Sequence, residues 1–135
     1  MSSEQRLVFL LKTAQGYVDG TAYRDTDLAS IPTNTILLNL EGAHISDGGI
    51  LSLPELKSLR CIDLDSTGIT DQAIERISSF SNLEEIWLED TKITDAGLAQ
   101  LSQLKKLRFI SVLDCAVSDQ AVERLSQSIP GVEVH

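Results

Sequence analysis

Three segments of this chain superimpose at a fixed offset of 24 residues: LRCIDLDSTGITDQAIERISSFSN from Leu59, LEEIWLEDTKITDAGLAQLSQLKK from Leu83 and LRFISVLDCAVSDQAVERLSQS from Leu107. A unit that short cannot bury its apolar face alone, so neighbours must stack and share a core. The period therefore specifies a solenoid. Upstream, TILLNLEGAHISDGGILSLPELKS from Thr35 is the first unit of full length, and YVDGTAYRDTDLASI is a degraded copy. In that copy Val18 falls on Leu64, Thr21 on Thr67, Asp25 on Asp71 and Leu28 on Ile74, before Pro32 ends the helix early and leaves 22 residues. The resulting division is a cap over 1–12, a degenerate repeat over 13–34, repeats over 35–58, 59–82, 83–106 and 107–131, and a closing strand over 132–135. The cap segment carries Leu7, Val8, Leu10 and Leu11, a set that fits one face of a short helix or a buried strand. The whole chain reads as one domain.

The letters of one repeat have a physical reading. In LRCIDL and LEEIWL the inward residues are Ile62 with Leu64 and Ile86 with Leu88, alternating with outward ones as a strand requires. A small hydrogen-bonding or apolar residue follows at Ala43, Thr67, Thr91 and Cys115, where the chain turns and a hydroxyl can satisfy backbone groups. Ser46-Asp47, Thr70-Asp71, Thr94-Asp95 and Ser118-Asp119 then read as helix starts, with the hydroxyl as N-cap and the carboxylate in the positive first turn. Gly49, Ala73, Gly97 and Ala121 supply a small side chain where helix approaches sheet. Ile50/Leu53, Ile74/Ile77, Leu98/Leu101 and Val122/Leu125 anchor each helix.

The pattern LxxIxLxxTxITDxGLxxL resembles the leucine-rich repeat, in the bacterial and cysteine-containing-like subclass with ITDxGL helices. The resemblance covers roughly residues 13–135 and is strongest over 59–128. It departs from the pattern at Thr13 and Thr35, where a leading Leu would stand, and at Arg24, where a capping hydroxyl would. It implies an α/β right-handed coil, with a parallel β-sheet on the concave side and short α-helices on the convex side. It also implies binding of other proteins through the concave surface, without implying which ones.

The outward strand residues fall into three columns. The first reads Leu37, Cys61, Glu85, Phe109; the second Tyr17, Asn39, Asp63, Trp87, Ser111; the third Asp19, Glu41, Asp65, Glu89, Leu113. With Asp90 and Asp114 beyond the strand ends, the carboxylates form an acidic strip about 15–20 Å long at the usual strand spacing. Trp87, Phe109 and Leu113 are expected beside it as exposed anchors. Like charges on adjacent strands oppose folding by tenths of a kcal/mol per pair. Such a strip has a purpose if it complements a basic partner. The candidate contact set is therefore Glu41, Asp63, Asp65, Glu85, Trp87, Glu89, Asp90, Phe109, Leu113 and Asp114. The structural alternative is a merely solvated face, with Trp87 folded over neighbouring aliphatic stems.

Composition narrows the partners. Eleven basic against 20 acidic residues give a net charge of −9, which repels phosphate backbones and anionic lipids and favours a basic protein or segment. The N-terminal MSSEQRLVFLLKTAQ is too charged and too short in its apolar run for a secretory signal or a span, so a cytoplasmic protein is expected. Cys61 and Cys115 lie two repeats apart, roughly 10 Å by strand spacing. That exceeds the reach of a disulfide, about 7 Å between Cα atoms. No metal cluster or cofactor motif stands out, because His44 and His135 are isolated and Asp47-Gly48-Gly49 belongs to the repeat. Asp65 and Glu89, about 5 Å apart, formally match a retaining hydrolase pair, but a flat strip is not expected to raise a carboxyl pKa. The leading expectation is a non-catalytic, monomeric binding module. An assembly protein acting through its solenoid ends comes second, and a carboxylate-pair hydrolase a remote third.

Overall fold

The computed structural model describes residues 15–135, so the expected cap over 1–12 lies outside the described residues. Six strands alternate with short helices: β1 (Tyr17–Asp19), a 3-10 helix (Asp25–Ser30), β2 (Leu37–Asn39), α1 (Asp47–Leu51), β3 (Cys61–Asp63) and α2 (Asp71–Ile77). These are followed by β4 (Glu85–Trp87), α3 (Asp95–Gln100), β5 (Phe109–Ser111), α4 (Asp119–Ser128) and β6 (Glu133–Val134). The strands pair in parallel and in chain order, β1-β2-β3-β4-β5-β6. From β2 to β5 the pairing advances by one repeat at each step, Leu38 to Ile62 to Ile86 to Ile110.

Strand alternation sends Ile62, Leu64, Ile86 and Leu88 into the core between sheet and helices, where each is fully buried. The helix anchors Ile50, Ile74 and Leu98 meet them from the other side. After each helix a second run of apolar residues at three-residue spacing leads back to the sheet: Leu53-Leu56-Leu59, Ile77-Phe80-Leu83 and Leu101-Leu104-Leu107 are all buried. The core is thus a set of aliphatic ladders along the solenoid axis, each rung supplied by one repeat. Thr67 and Thr91 donate to the carbonyls of Leu64 and Leu88, at 2.7 and 2.8 Å, which closes the turn after the strand as their hydroxyls suggested.

The Ser/Thr-Asp pairs do more than start helices. Asp47 accepts the Thr70 backbone N–H at 2.7 Å and its hydroxyl at 2.6 Å. Asp71 does the same for Thr94, Asp95 for Ser118, and Asp25 for Ser46. The hydroxyls of Thr70 and Ser118 also accept an N–H of their own helix, whereas those of Ser46 and Thr94 make no cap bond. Each carboxylate therefore clasps the cap of the next repeat. The small residue two positions after Asp makes room for the clasp, since a Cβ at Gly49 or Gly97 would collide with the carboxylate of Asp25 or Asp71.

The first unit departs from its expected register. Val18 pairs with Leu38, and Tyr17 with Leu37, so Tyr17 joins the first column and Asp19 the second. Asp25 nonetheless clasps Ser46 as the repeat requires. The unit is short both after Pro32 and between strand and cap, so aligning its cap slides its strand by two residues. Asp19 consequently leaves the third column, which holds Glu41, Asp65 and Glu89. At the other end, β6 pairs Val134 with Ile110.

Candidate functional site

The third residue past the end of each of β2 to β5 adopts a left-handed conformation, with φ of 69° at Gly42, 56° at Ser66, 54° at Asp90 and 62° at Asp114. Glycine bears this freely and aspartate tolerates it, because a short polar side chain adds little crowding there. Asp90 and Asp114 accordingly have a structural reason to be where they are, and both are exposed. The turn holds the third-column residues at the rim of the sheet. Glu41 is exposed, Asp65 and Glu89 are half-buried, and Leu113 is 53% exposed at the same repeat position.

Deeper on the concave face the expected exposure fails. Glu85 is 2%, Phe109 4% and Asp63 7% exposed, so these three are not open contact residues. Alternation separates the two faces of a sheet without making the second one wet. Here the concave side carries its own apolar cluster, Leu37 and Cys61 with Tyr17 and Trp87 packed on them. Trp87 is half-buried, its ring centroid 4.9 Å from that of Phe109, and its indole N–H is buried without a hydrogen-bond partner. It therefore folds down over its neighbours rather than standing out as a free anchor. The Cys61 thiol donates to Glu85 at 3.3 Å, and burial together with that carboxylate pushes its pKa well up, which makes it a poor nucleophile. Both cysteines are free thiols.

The rim is strained electrostatically. Burial pushes the Asp65 carboxyl up to about 7, with Asp63, Glu89 and Glu41 adding repulsion against the lowering effect of the Glu89 N–H it accepts at 2.7 Å. Asp63 is pushed up to about 6, again mainly by burial, although it accepts the Asp65 N–H at 3.0 Å. An open strip was not expected to do this; partial desolvation across the sheet is enough. Glu89 accepts the Ser111 hydroxyl at 2.7 Å, which fixes its direction along the rim. Among the described residues the arginine ion pairs reach Glu84, and Glu41, Asp63, Asp65 and Glu89 have no cation at ion-pair distance. Among the described residues no group of three or more His, Cys, Asp or Glu is arranged to hold a metal ion. Nor is any described helix long and apolar enough to cross a membrane.

The clasping aspartates were legible as a motif, while their partner one repeat on was not. Their signal was that Asp never appears at that position without Ser or Thr before it in the full repeats.

No protein-family model matches the sequence, and no curated protein matches it. Solved structures do. A leucine-rich-repeat protein of Leptospira interrogans is similar over 75% of this chain and 25% of its own, with a TM-score of 0.55 and 19% identity. An internalin from Listeria monocytogenes is similar over 81% of this chain and 36% of its own, with a TM-score of 0.53 and 12% identity. This chain thus spans about a quarter and about a third of those two proteins. Parallel strands in chain order, helices on the opposite layer, one aliphatic core and these neighbours lead to one conclusion: the chain has the leucine-rich-repeat fold.

Proposed function

We propose that the chain is a non-catalytic protein-interaction module that takes a basic protein segment along the rim formed by Glu41, Asp65 and Glu89. Asp90, Asp114 and the exposed Leu113 extend the contact at the strand ends, and Trp87 borders it. Asp63, Glu85 and Phe109 serve from beneath, by shaping the wall of the rim and setting its potential. The observation that carries the reading is the alignment of three carboxylates on successive repeats with no cation paired to them among the described residues. Carboxylates stacked at strand spacing repel, and a lysine- or arginine-rich segment laid along them removes that repulsion while matching the period. The raised Asp63 and Asp65 fit the same picture, because a cation draws such groups into their ionised form.

A hydrolase built on Asp65 and Glu89 is the weaker reading. Asp65 spends an oxygen on the Glu89 backbone and Glu89 one on Ser111, so both act as fixed acceptors. The test is capture of a basic partner at low and high salt by the wild type and by Asp65→Lys/Glu89→Lys. The double variant is expected to lose capture with its far-ultraviolet circular dichroism unchanged, because neither side chain belongs to the main core. Normal capture by that variant would remove the rim as the site.

A further inference from the structure

The opposite edge of the same sheet has the opposite charge. Residues 15–135 contain nine Lys and Arg, and five of them (Lys57, Arg60, Lys105, Lys106 and Arg108) stand where the chain returns from helix to strand. In this chain of net charge −9 that is a strong segregation. Some of it is structural: Lys105 caps the Ser102 carbonyl at 2.7 Å, at the negative end of a helical segment. Of the others, Lys57, Arg60 and Lys106 line a groove of about 330 Å³ together with Ile36, Asn82 and Glu84. Glu84 accepts from Arg60 at 2.6 Å and from Arg108 at 3.5 Å, so one carboxylate is shared by two guanidinium groups. Asn82 donates to the Lys57 carbonyl at 2.6 Å and accepts from Lys106 Nζ at 2.7 Å. These bonds fix the groove walls beside exposed Lys57, with half-buried Ile36 as an apolar wall.

We propose that this edge is a second docking surface, which takes an acidic protein segment carrying an aliphatic side chain between its carboxylates. The aliphatic group would rest on Ile36, and the flanking carboxylates would meet Lys57 and Lys106, with Arg108 beyond. Charge complementarity selects the sign of the partner. The short reach of the groove selects a peptide over a nucleic acid. A polyphosphate longer than the groove would extend into the field of a strongly acidic molecule, whereas a few carboxylates flanking one Leu would stay beside Lys57 and Lys106. The inference is independent of the acidic rim, since the two edges share no residue. Together they would make the chain a bridge between a basic and an acidic protein.

The experiment is a fluorescence-anisotropy titration with a labelled peptide of sequence Asp-Glu-Leu-Glu-Asp. Saturable, salt-sensitive binding is expected, weakened about tenfold or more by Lys57→Glu/Lys106→Glu and by replacing the peptide Leu with Ser. Lys57→Ala alone, which removes no side-chain hydrogen bond, should weaken it less but measurably. Neither variant should alter binding of a lysine-rich peptide at the rim. Unchanged affinity in the charge-reversed variant would overturn the proposal. So would a single-stranded oligonucleotide that binds this edge more tightly than the peptide.

Discussion

At the scale of single residues the rim carboxylates set the pH behaviour. Asp63 is buried and its carboxyl is pushed up to about 6. A carboxyl raised above its unfolded value stabilises the fold when protonated, so its contribution is intact below about pH 4 and is lost as pH rises through about 6. Asp63→Asn keeps an oxygen for the Asp65 N–H and removes the charge. It should therefore raise stability at pH 8 by about 1–3 kcal/mol relative to its effect at pH 4. Denaturant unfolding at the two values checks this, and a variant that destabilises equally at both would contradict it. How far the sequence reaches is visible at the same residues. Alternation placed Asp63, Glu85 and Phe109 on the concave face, where they are, but gave no information on whether that face is covered. Burial there depends on contacts between repeats: Trp87 and His135 stack on Phe109 with ring centroids 4.9 and 5.2 Å away, and the Cys61 thiol meets Glu85, a matter of rotamers and neighbours on adjacent strands.

At the scale of the element, the inter-repeat clasp separates residues that the consensus treats alike. Asp71 holds both the backbone and hydroxyl of Thr94, whereas Asp119 has no following cap among the described residues. Asp71→Ala should cost about 2–4 kcal/mol, because it strips a charged acceptor from two donors. Asp119→Ala should cost under about 1 kcal/mol, the helix-terminus contribution alone. A double-mutant cycle of Asp71→Ala with Thr94→Ala should show coupling of about 1–2 kcal/mol between residues 23 positions apart. Equal losses at Asp71 and Asp119, or additivity in the cycle, would reduce the motif to an ordinary cap. Its recurrence was plain in the sequence, but the repeat-to-repeat partner was not. N-cap chemistry explains the same letters locally, and only stacking brings the carboxylate of one repeat to the cap of the next.

At the scale of the whole molecule, one repeated unit generates two edges of opposite charge on a single sheet. The period, the strand columns from β2 to β5 and the aliphatic ladders follow from the sequence because each repeat supplies one rung to each. The first unit resisted, because it is short in two places and its cap and strand cannot both be aligned with a full repeat. Function on this account rests on charge laid out at the repeat period, with the raised carboxyls as its signature. The most direct measurement is the affinity of a labelled lysine-rich peptide for the wild type and for Asp65→Lys/Glu89→Lys, taken from pH 5 to pH 8. Wild-type binding should tighten as pH rises through about 6–7, where Asp63 and Asp65 ionise, and the double variant should show no such binding. Affinity that is flat across this range, or retained by the double variant, would contradict it.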